Sequence, residues 1–184
     1  MPPPCRLHVL GASGTGTTTL GRTVATLWSV PHADVDDFYW IPTAPPFVSK
    51  RPEQERVELM QKLFLPRDAW VMSGSMTGWG DSLVASLDAV VFITLDPETR
   101  LQRLRARETA RYGDAIAPGG PREQAHQDFI EWARGYDDPT FTGRSRAGHE
   151  QWLTRLSCPV LRLDGAQSID RLATAVIDWE RAAA

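Results

Sequence analysis

A glycine-rich segment near the start of the chain constrains the fold more than any other feature of the sequence. Residues 11–18 read GASGTGTT and follow a short apolar run at residues 7–10. Apolar residues then recur at helical spacing, at Leu20, Val24, Leu27 and Trp28. Glycines allow several backbone N–H groups to converge on one anion, and a helix N-terminus adds positive charge. A strand, this loop and a helix in that order therefore predict a phosphate-binding turn.

The segment matches the P-loop template G-x-x-x-x-G-K-[ST] except at its lysine. Gly11 and Gly16 fill the glycine positions, and Thr18 fills the position whose hydroxyl contacts Mg²⁺. Thr17 stands where the template has lysine, so either the chain binds phosphate with little phosphoryl transfer or another cation replaces the lysine. The alternative is an ordinary glycine-rich turn before a helix. The predicted nucleotide-binding residues are Gly11, Ala12, Ser13, Gly14, Thr15, Gly16, Thr17, Thr18 and Thr19.

Strands and helices alternate along the rest of the chain, which predicts an α/β fold with a parallel sheet. The apolar run at residues 87–95 does not alternate with polar residues, as is typical of a strand covered on both faces. Further strands are expected at residues 32–36, 70–72 and 159–163. Helices are expected from Pro52, from Pro97, over 122–135 and 145–156, and from about Ser168. Proline and glycine predict loops at residues 40–50 and 110–121.

Four patterns share the order and spacing of a known group of enzymes. They are the P-loop, D-x-x-x-W-x-P from Asp36 to Pro42, the segment 70–74, and R-L-x-x-R from Arg103 to Arg107. The chain thereby resembles the small P-loop kinases of the adenylate kinase, shikimate kinase and gluconate kinase group. Within that group it most resembles the bacterial topology-modulation or adenylate-kinase-like proteins.

The resemblance covers nearly the whole chain and has specific consequences for the fold. It implies a P-loop NTPase three-layer sandwich with a five-stranded parallel sheet in the order 2-3-1-4-5. It also implies one domain over residues 1–184, with a small helical lid inserted at about 108–150. ATP would lie on the P-loop, and the substrate would lie over the carboxyl ends of the strands, where open α/β sheets generally bind ligands.

Acidic residues follow the second predicted strand. Asp34 and Asp36 flank Val35, so on a strand both carboxylates would project to the same side. Carboxylates at this edge hold Mg²⁺ through water or accept a proton from a substrate hydroxyl. We expect Asp36 to be the base, and Asp34 to bind metal together with Thr18. The alternative is that Asp36 or Asp37 caps a short turn.

Arginines are the second group of candidate functional residues. Arg103 and Arg107 are four residues apart and share one helix face. The resemblance implies that this helix leads into the lid, whose arginines hold the transferring phosphate; the alternative is a solvated basic face. Three further arginines are candidates to replace the P-loop lysine: Arg122, Arg144 and Arg146.

The resemblance also bears on two other positions. It implies that Gly165 lies where the backbone meets adenine, and that Ser73 stands where related kinases often have an aspartate. Thr17→Lys is expected to strengthen ATP binding unless another side chain already replaces the lysine. His126 and His149 are expected to be surface or capping residues.

Composition excludes several classes of protein. The chain has 184 residues, a net charge of −3 and only two lysines among 20 basic residues. An acidic net charge argues against general nucleic-acid binding, and no apolar stretch reaches transmembrane length. Two isolated cysteines, Cys5 and Cys158, favour a reduced, cytoplasmic setting. Oligomeric state stays open between monomer and homodimer.

These observations favour an ATP- and Mg²⁺-dependent kinase that acts on the hydroxyl or phosphate of a small molecule or nucleotide. The absence of the P-loop lysine keeps a second hypothesis open, in which the chain is a nucleotide-binding sensor or partner module with little or no phosphotransfer.

Overall fold

The computed structural model describes residues 5–183, with side chains up to residue 179. Its five strands are β1 (Arg6–Gly11), β2 (His32–Asp34), β3 (Trp70–Ser73), β4 (Ala89–Thr94) and β5 (Val160–Asp164). They form one sheet in the order β2-β3-β1-β4-β5, and every adjacent pair is parallel. The predicted order 2-3-1-4-5 is therefore confirmed.

Seven helices connect and flank the strands in the described part of the chain. They are α1 (Thr17–Trp28), α2 (Val35–Tyr39), α3 (Glu53–Leu63), α4 (Pro97–Tyr112), α5 (Glu123–Arg134), α6 (Arg146–Leu153) and α7 (Ile169–Ala183). Short 3₁₀ turns lie at Asp81–Ser86, Gly113–Ile116 and Gly135–Asp137. None of the helices within residues 5–183 has both the length and the apolar character needed to span a bilayer.

Two apolar layers cover the two faces of the sheet. In β1, Leu7 and Val9 face the layer formed with α1 and α7, whereas Leu10 faces the layer formed with α3 and α6. Val91 and Phe92 of β4 are divided between the same two layers. Successive strand side chains point to opposite faces, so a strand buried on both faces needs an unbroken apolar run. This explains the sequence of β4.

The buried face of α1 differs from the predicted one at one residue. Leu20, Val24 and Trp28 are buried, but Leu27 is 49% exposed. Ala25 takes the inward position instead, since it lies one turn beyond Gly21 on the face that packs against the sheet.

The second strand is shorter than its sequence predicts. It ends at Asp34, and the chain turns directly into α2. The Asp34 carboxylate accepts a hydrogen bond from the backbone N–H of Asp36 at 3.1 Å, so Asp34 is the N-cap of that helix. Aspartate favours this position because its oxygen satisfies an N–H that the helix leaves unpaired. The expectation that Asp34 and Asp36 alternate along a strand is therefore wrong, as is the alternative that Asp36 or Asp37 is the cap.

The fourth helix begins as predicted and ends later than predicted. The Asp96 carboxylate accepts the backbone N–H of Thr99 at 2.9 Å, and Pro97 is the first helical residue. The helix then continues to Tyr112 and passes into a 3₁₀ turn, where a loop was expected from residue 110. Local capping chemistry sets the start of a helix, whereas its end depends on the elements that pack against it.

Candidate active site

A cleft of about 1620 Å³ opens at the carboxyl ends of the strands. Every residue of the segment 11–19 lines it, and so do Asp34, Asp36, Arg103, Arg107 and Gly165. The fold thus brings these predicted residues to one cavity, at the edge where open α/β sheets bind ligands. Their chemical roles stay predictions.

The P-loop is shaped by glycine conformations that other residues rarely adopt. Gly14 and Gly16 have φ values of 92° and 98°. A Cβ at Gly14 would lie 2.7 Å from the backbone oxygen of Arg100, so the first turn of α4 packs closely behind the loop. Gly16 is the N-cap of α1 and provides no side-chain acceptor. The first N–H groups of α1 therefore remain available to an anion in the cleft.

A hydrogen bond joins the P-loop to the end of β2. The Thr18 hydroxyl donates to the Asp34 carboxylate at 2.8 Å, while the other carboxylate oxygen of Asp34 caps α2. A hydroxyl and a carboxylate are hard oxygen donors of the kind that Mg²⁺ binds alongside phosphate oxygens and water. Nowhere in residues 5–179 do three or more His, Cys, Asp or Glu side chains form a group able to hold a metal ion. This pair fits a magnesium ion that shares its ligands with a bound phosphate.

Asp36 lies in the first turn of α2, two residues after its N-cap Asp34, and lines the cleft. Desolvation within the cleft raises the pKa of Asp36, and the nearby charge of Asp34 raises it further. The guanidinium groups of Arg144 and Arg107 lower the pKa, and Asp37 adds a small increase. The carboxylate thus lies between a second acid and two cations, an arrangement that suits a group that exchanges a proton with a bound substrate.

The two arginines predicted on α4 have different partners. Arg103 donates to the backbone oxygen of Gly165 at 2.8 Å and links α4 to the turn after β5. Arg107 instead donates through Nε and Nη2 to the carboxylate of Glu108, at 3.2 and 3.0 Å. Both side chains line the cleft, but their recorded hydrogen bonds go to Gly165 and Glu108.

Of the three candidates to replace the lysine, Arg144 makes a hydrogen bond to the P-loop. Its Nη2 lies 3.1 Å from the Ser13 hydroxyl, and its guanidinium stands over the Trp132 ring at 4.9 Å. Burial lowers the pKa of Arg144, while the charge of Asp36 raises it. Arg146 instead pairs with Asp137 at 2.8 Å, and Arg122 lies 4.3 Å from the Tyr112 ring centroid.

Arg100 is a site residue that the sequence analysis missed. Its side chain is 1% exposed, pairs with Asp137 at 3.1 Å and donates to the Ala133 oxygen at 3.0 Å. A longer bond of 3.4 Å reaches the Ser13 backbone oxygen. The available signal was its position one turn before Leu104 on the inward face of α4. Arg100 supports the P-loop from behind.

His149 is buried, contrary to the expected surface or capping position. Its Nε2 lies 3.0 Å from the Ser75 hydroxyl, and its Nδ1 lies 2.9 Å from the Tyr136 hydroxyl. Burial lowers the pKa of His149 to about 3, so the ring is neutral at physiological pH. The histidine joins α6 to the turn after β3, because its two ring nitrogens find partners on both sides. The Ser75 hydroxyl also forms a hydrogen bond with the Thr77 hydroxyl, at 2.9 Å.

Ser73 occupies the end of β3, where the resemblance leads one to expect an aspartate. It is fully buried, and its hydroxyl lies 2.9 Å from Nε2 of His32. A hydrogen bond between a serine and a histidine therefore takes the place of a carboxylate at this position.

The relationship to known proteins begins with one close relative. YqaC of Bacillus subtilis (strain 168), itself named as an uncharacterized protein, is 40% identical over 173 residues. The match covers 94% of this chain and 96% of YqaC. The chain belongs to the YqaC family. No known protein-family model matches it.

Solved structures with a similar fold include small P-loop kinases. A gluconokinase from Sinorhizobium meliloti 1021 has a TM-score of 0.57 at 15% identity, covering 100% of this chain and 95% of that one. A shikimate kinase from Bacteroides thetaiotaomicron has a TM-score of 0.52 at 17% identity, covering 95% and 97%. The chain thus has the fold of the small P-loop kinases, as its sequence predicts. The closer likeness to topology-modulation proteins stays a prediction.

Proposed function

We propose that the chain is an ATP-dependent kinase that transfers the γ-phosphoryl group to a hydroxyl or phosphate of a small molecule or nucleotide. The observation that supports this most is the 2.8 Å hydrogen bond between Thr18 and Asp34. The bond joins the Thr18 hydroxyl, which we propose binds metal, to a carboxylate beside the loop, and Asp36 lies two residues further on. A protein that only needs a glycine-rich turn has no use for this arrangement.

Each group has a role in the proposed reaction. The N–H groups of the P-loop and of α1 hold the phosphates of ATP. Thr18 and Asp34 would hold Mg²⁺, which neutralises charge on phosphate oxygens when it is bound. Asp36 accepts the proton of the acceptor hydroxyl. A bond then forms between that oxygen and the γ-phosphorus, the bond from the γ-phosphorus to the bridging oxygen breaks, and ADP leaves with that oxygen.

The remaining parts of the cleft fit the same proposal. We propose that residues 108–150 are the lid, that Arg107 helps to compensate phosphate charge, and that Arg103 holds the Gly165 backbone in place against adenine. Closure of such a segment keeps water away from the phosphoryl group.

The proposed acceptor subsite lies on the side of residues 38–50. Trp40 and Phe47 pack edge to face with their ring centroids 6.0 Å apart, and the Arg111 guanidinium is 5.6 Å from the Phe47 ring. Lys50 stands 6.0 Å from the Tyr39 ring. Aromatic faces next to cations suit an acceptor that has both an apolar or planar part and a negative charge.

A second candidate is a nucleotide-binding module with little or no phosphotransfer. Two neutral residues favour this candidate. Thr17 stands where the P-loop template has a lysine, and Ser73 stands where the related kinases often have an aspartate. Asp36 opposes it, since a module that only binds a nucleotide does not need a base in its cleft.

Two measurements on the full chain separate the candidates. Calorimetric titration with ATP and Mg²⁺ tests binding, and the absence of heat together with an unchanged melting temperature would refute both nucleotide hypotheses. A coupled assay of ADP release tests turnover against nucleosides, nucleotides, gluconate, shikimate and simple sugars. Binding of ATP without stimulation by any acceptor would favour the module over the kinase.

Replacement of Asp36 provides the residue-level test. Asp36→Asn is expected to lower acceptor-dependent turnover by about a hundredfold or more, which is the usual effect of losing a general base. ATP affinity should change by less than about threefold, because the asparagine keeps the shape of the side chain. Asp37→Asn is the matched control on the same helix, and equal loss of turnover in both variants would contradict the assigned role.

A further inference from the structure

We infer that Arg144 replaces the missing P-loop lysine and supplies the positive charge that holds the terminal phosphates of the nucleotide. This inference rests on the proposed function. It assigns a phosphate-binding residue to a segment more than a hundred residues away from the loop that it serves.

The P-loop itself offers no charge at the lysine position. Thr17 is neutral, so the loop binds phosphate with backbone N–H groups and hydroxyls alone. A phosphate group in a partly desolvated cleft needs more than this, because charge-assisted hydrogen bonds are roughly twice as strong as neutral ones. A cation from another element must therefore reach the loop if the nucleotide is to bind tightly.

Within residues 5–179, two arginine side chains form hydrogen bonds with Ser13 of the P-loop, and their surroundings differ. Arg100 forms an ion pair with Asp137 and also donates to the Ala133 oxygen, so its charge is already compensated. It is 1% exposed and packs behind Gly14, away from the open side of the loop. Arg100 is a support, since neither its position nor its charge is free for a ligand.

Arg144 has the opposite properties. Its Nη2 reaches the Ser13 hydroxyl at 3.1 Å, and it lines the cleft itself. Its guanidinium also stands over the face of Trp132, and the charge of Asp36 acts on it, but no carboxylate of residues 5–179 forms a salt bridge with it. A guanidinium stays charged in a protein, and a half-buried charge without an ion-pair partner is costly until an anion arrives. The fork of Arg144 is thus set up to receive phosphate oxygens.

Arg144 already lies beside the loop in the structure, which contains no ligand. It precedes α6, which is held to the turn after β3 by the bonds of His149 to Ser75 and by a 3.0 Å bond from Trp152 to Asp81. The guanidinium therefore loses little conformational freedom on binding phosphate, which favours tight binding.

Titration of four proteins with Mg²⁺-ATP and with inorganic tripolyphosphate tests the inference. They are the wild type, Arg144→Ala, Thr17→Lys and the double variant. Arg144→Ala is expected to weaken both ligands by roughly tenfold to a hundredfold, the usual effect of losing a charged hydrogen bond. Thr17→Lys should then restore most of this loss in the double variant. In the wild-type background the same lysine should gain less than about threefold.

The controls separate a binding role from a structural one. Arg134→Ala removes an exposed arginine that pairs with Glu131 and should leave both affinities unchanged. Arg144→Gln keeps a polar, unbranched side chain without the charge, and it should show the same tenfold to hundredfold loss. The test therefore holds even if the alanine variant is poorly folded. Rescue by a lysine at residue 17 cannot come from repaired packing around Trp132.

The outcomes that contradict the inference are distinct. Equal affinities of wild type and Arg144→Gln would overturn it, as would an equal gain from Thr17→Lys with and without Arg144, since two cations acting at one place cannot be additive. Failure of the wild type to bind either ligand would overturn the proposed function as well. If the wild type binds both ligands and the Arg144 substitutions leave the affinities unchanged, this inference alone is overturned.

Discussion

Two buried histidines make the stability of the chain sensitive to mild acid. His8 of β1 is fully buried with its ring set edge-on to Trp152, and His149 is 1% exposed. Burial lowers the pKa of His8 to about 4 and that of His149 to about 3. Both rings are therefore neutral in the folded chain at any pH above about 5.

The size of the effect follows from the unfolded chain, in which a histidine has a pKa of about 6.5. Above that pH neither state holds the proton, so the full stability is present. Below it the unfolded chain binds a proton that the folded chain excludes, and each pH unit costs about 1.4 kcal/mol per histidine. Between pH 7.5 and pH 5 the loss is about 2 kcal/mol for His8 and about 2 kcal/mol for His149.

Urea unfolding followed by tryptophan fluorescence at the two pH values measures this loss. Half-buried His32 also has a lowered pKa and adds to the loss in the wild type, so the decisive quantity is the difference between proteins. His8→Leu should lose about 2 kcal/mol less than the wild type over this range, whatever the substitution does to stability at pH 7.5.

A carboxyl variant provides the control for the same experiment. Asp88 pairs with Arg6, and the hydrogen bond holds the pKa of Asp88 below its usual range. Its stabilisation is therefore lost only as the pH falls well below 5, and Asp88→Asn should show the same loss as the wild type between pH 7.5 and 5. An equal loss in His8→Leu and the wild type would refute the claim that His8 is held neutral.

Three further substitutions test the support of the P-loop. Gly16→Ala should lower the free energy of unfolding in urea by about 1–2 kcal/mol because of its positive φ. Gly14→Ala should lower it by about 1–3 kcal/mol more, because its Cβ would also meet the Arg100 backbone oxygen at 2.7 Å. Equal losses in the two variants would contradict the close packing of α4 behind Gly14. Arg100→Met should cost about 2 kcal/mol because it removes a buried charged donor to Asp137 and to the Ala133 oxygen, although Asp137 keeps its pair with Arg146. The exposed pair lost in Arg6→Met should cost less than about 1 kcal/mol, and similar losses would contradict the difference in burial.

The sequence predicted the local elements well, because their causes are local. The glycines of residues 11–16, the cap at Asp96 and the apolar run of β4 each specify the structure of a few neighbouring residues. The resemblance added the sheet order, which no local pattern contains. The error at β2 arose because an acid after a strand can either continue it or cap a helix, and the choice depends on what packs beyond it.

The sequence by itself predicted a phosphate-binding loop and determined that a threonine stands at the lysine position of the template. It also provided a short group of candidate arginines, but could not choose among them. Only the tertiary structure placed Arg144 at Ser13, paired Arg146 with Asp137 and buried His149 between Ser75 and Tyr136. Periodicity and capping report on residues within a few positions of one another. Contacts between distant residues depend on how the helices pack across the sheet, and that packing decides which charge reaches the phosphate loop.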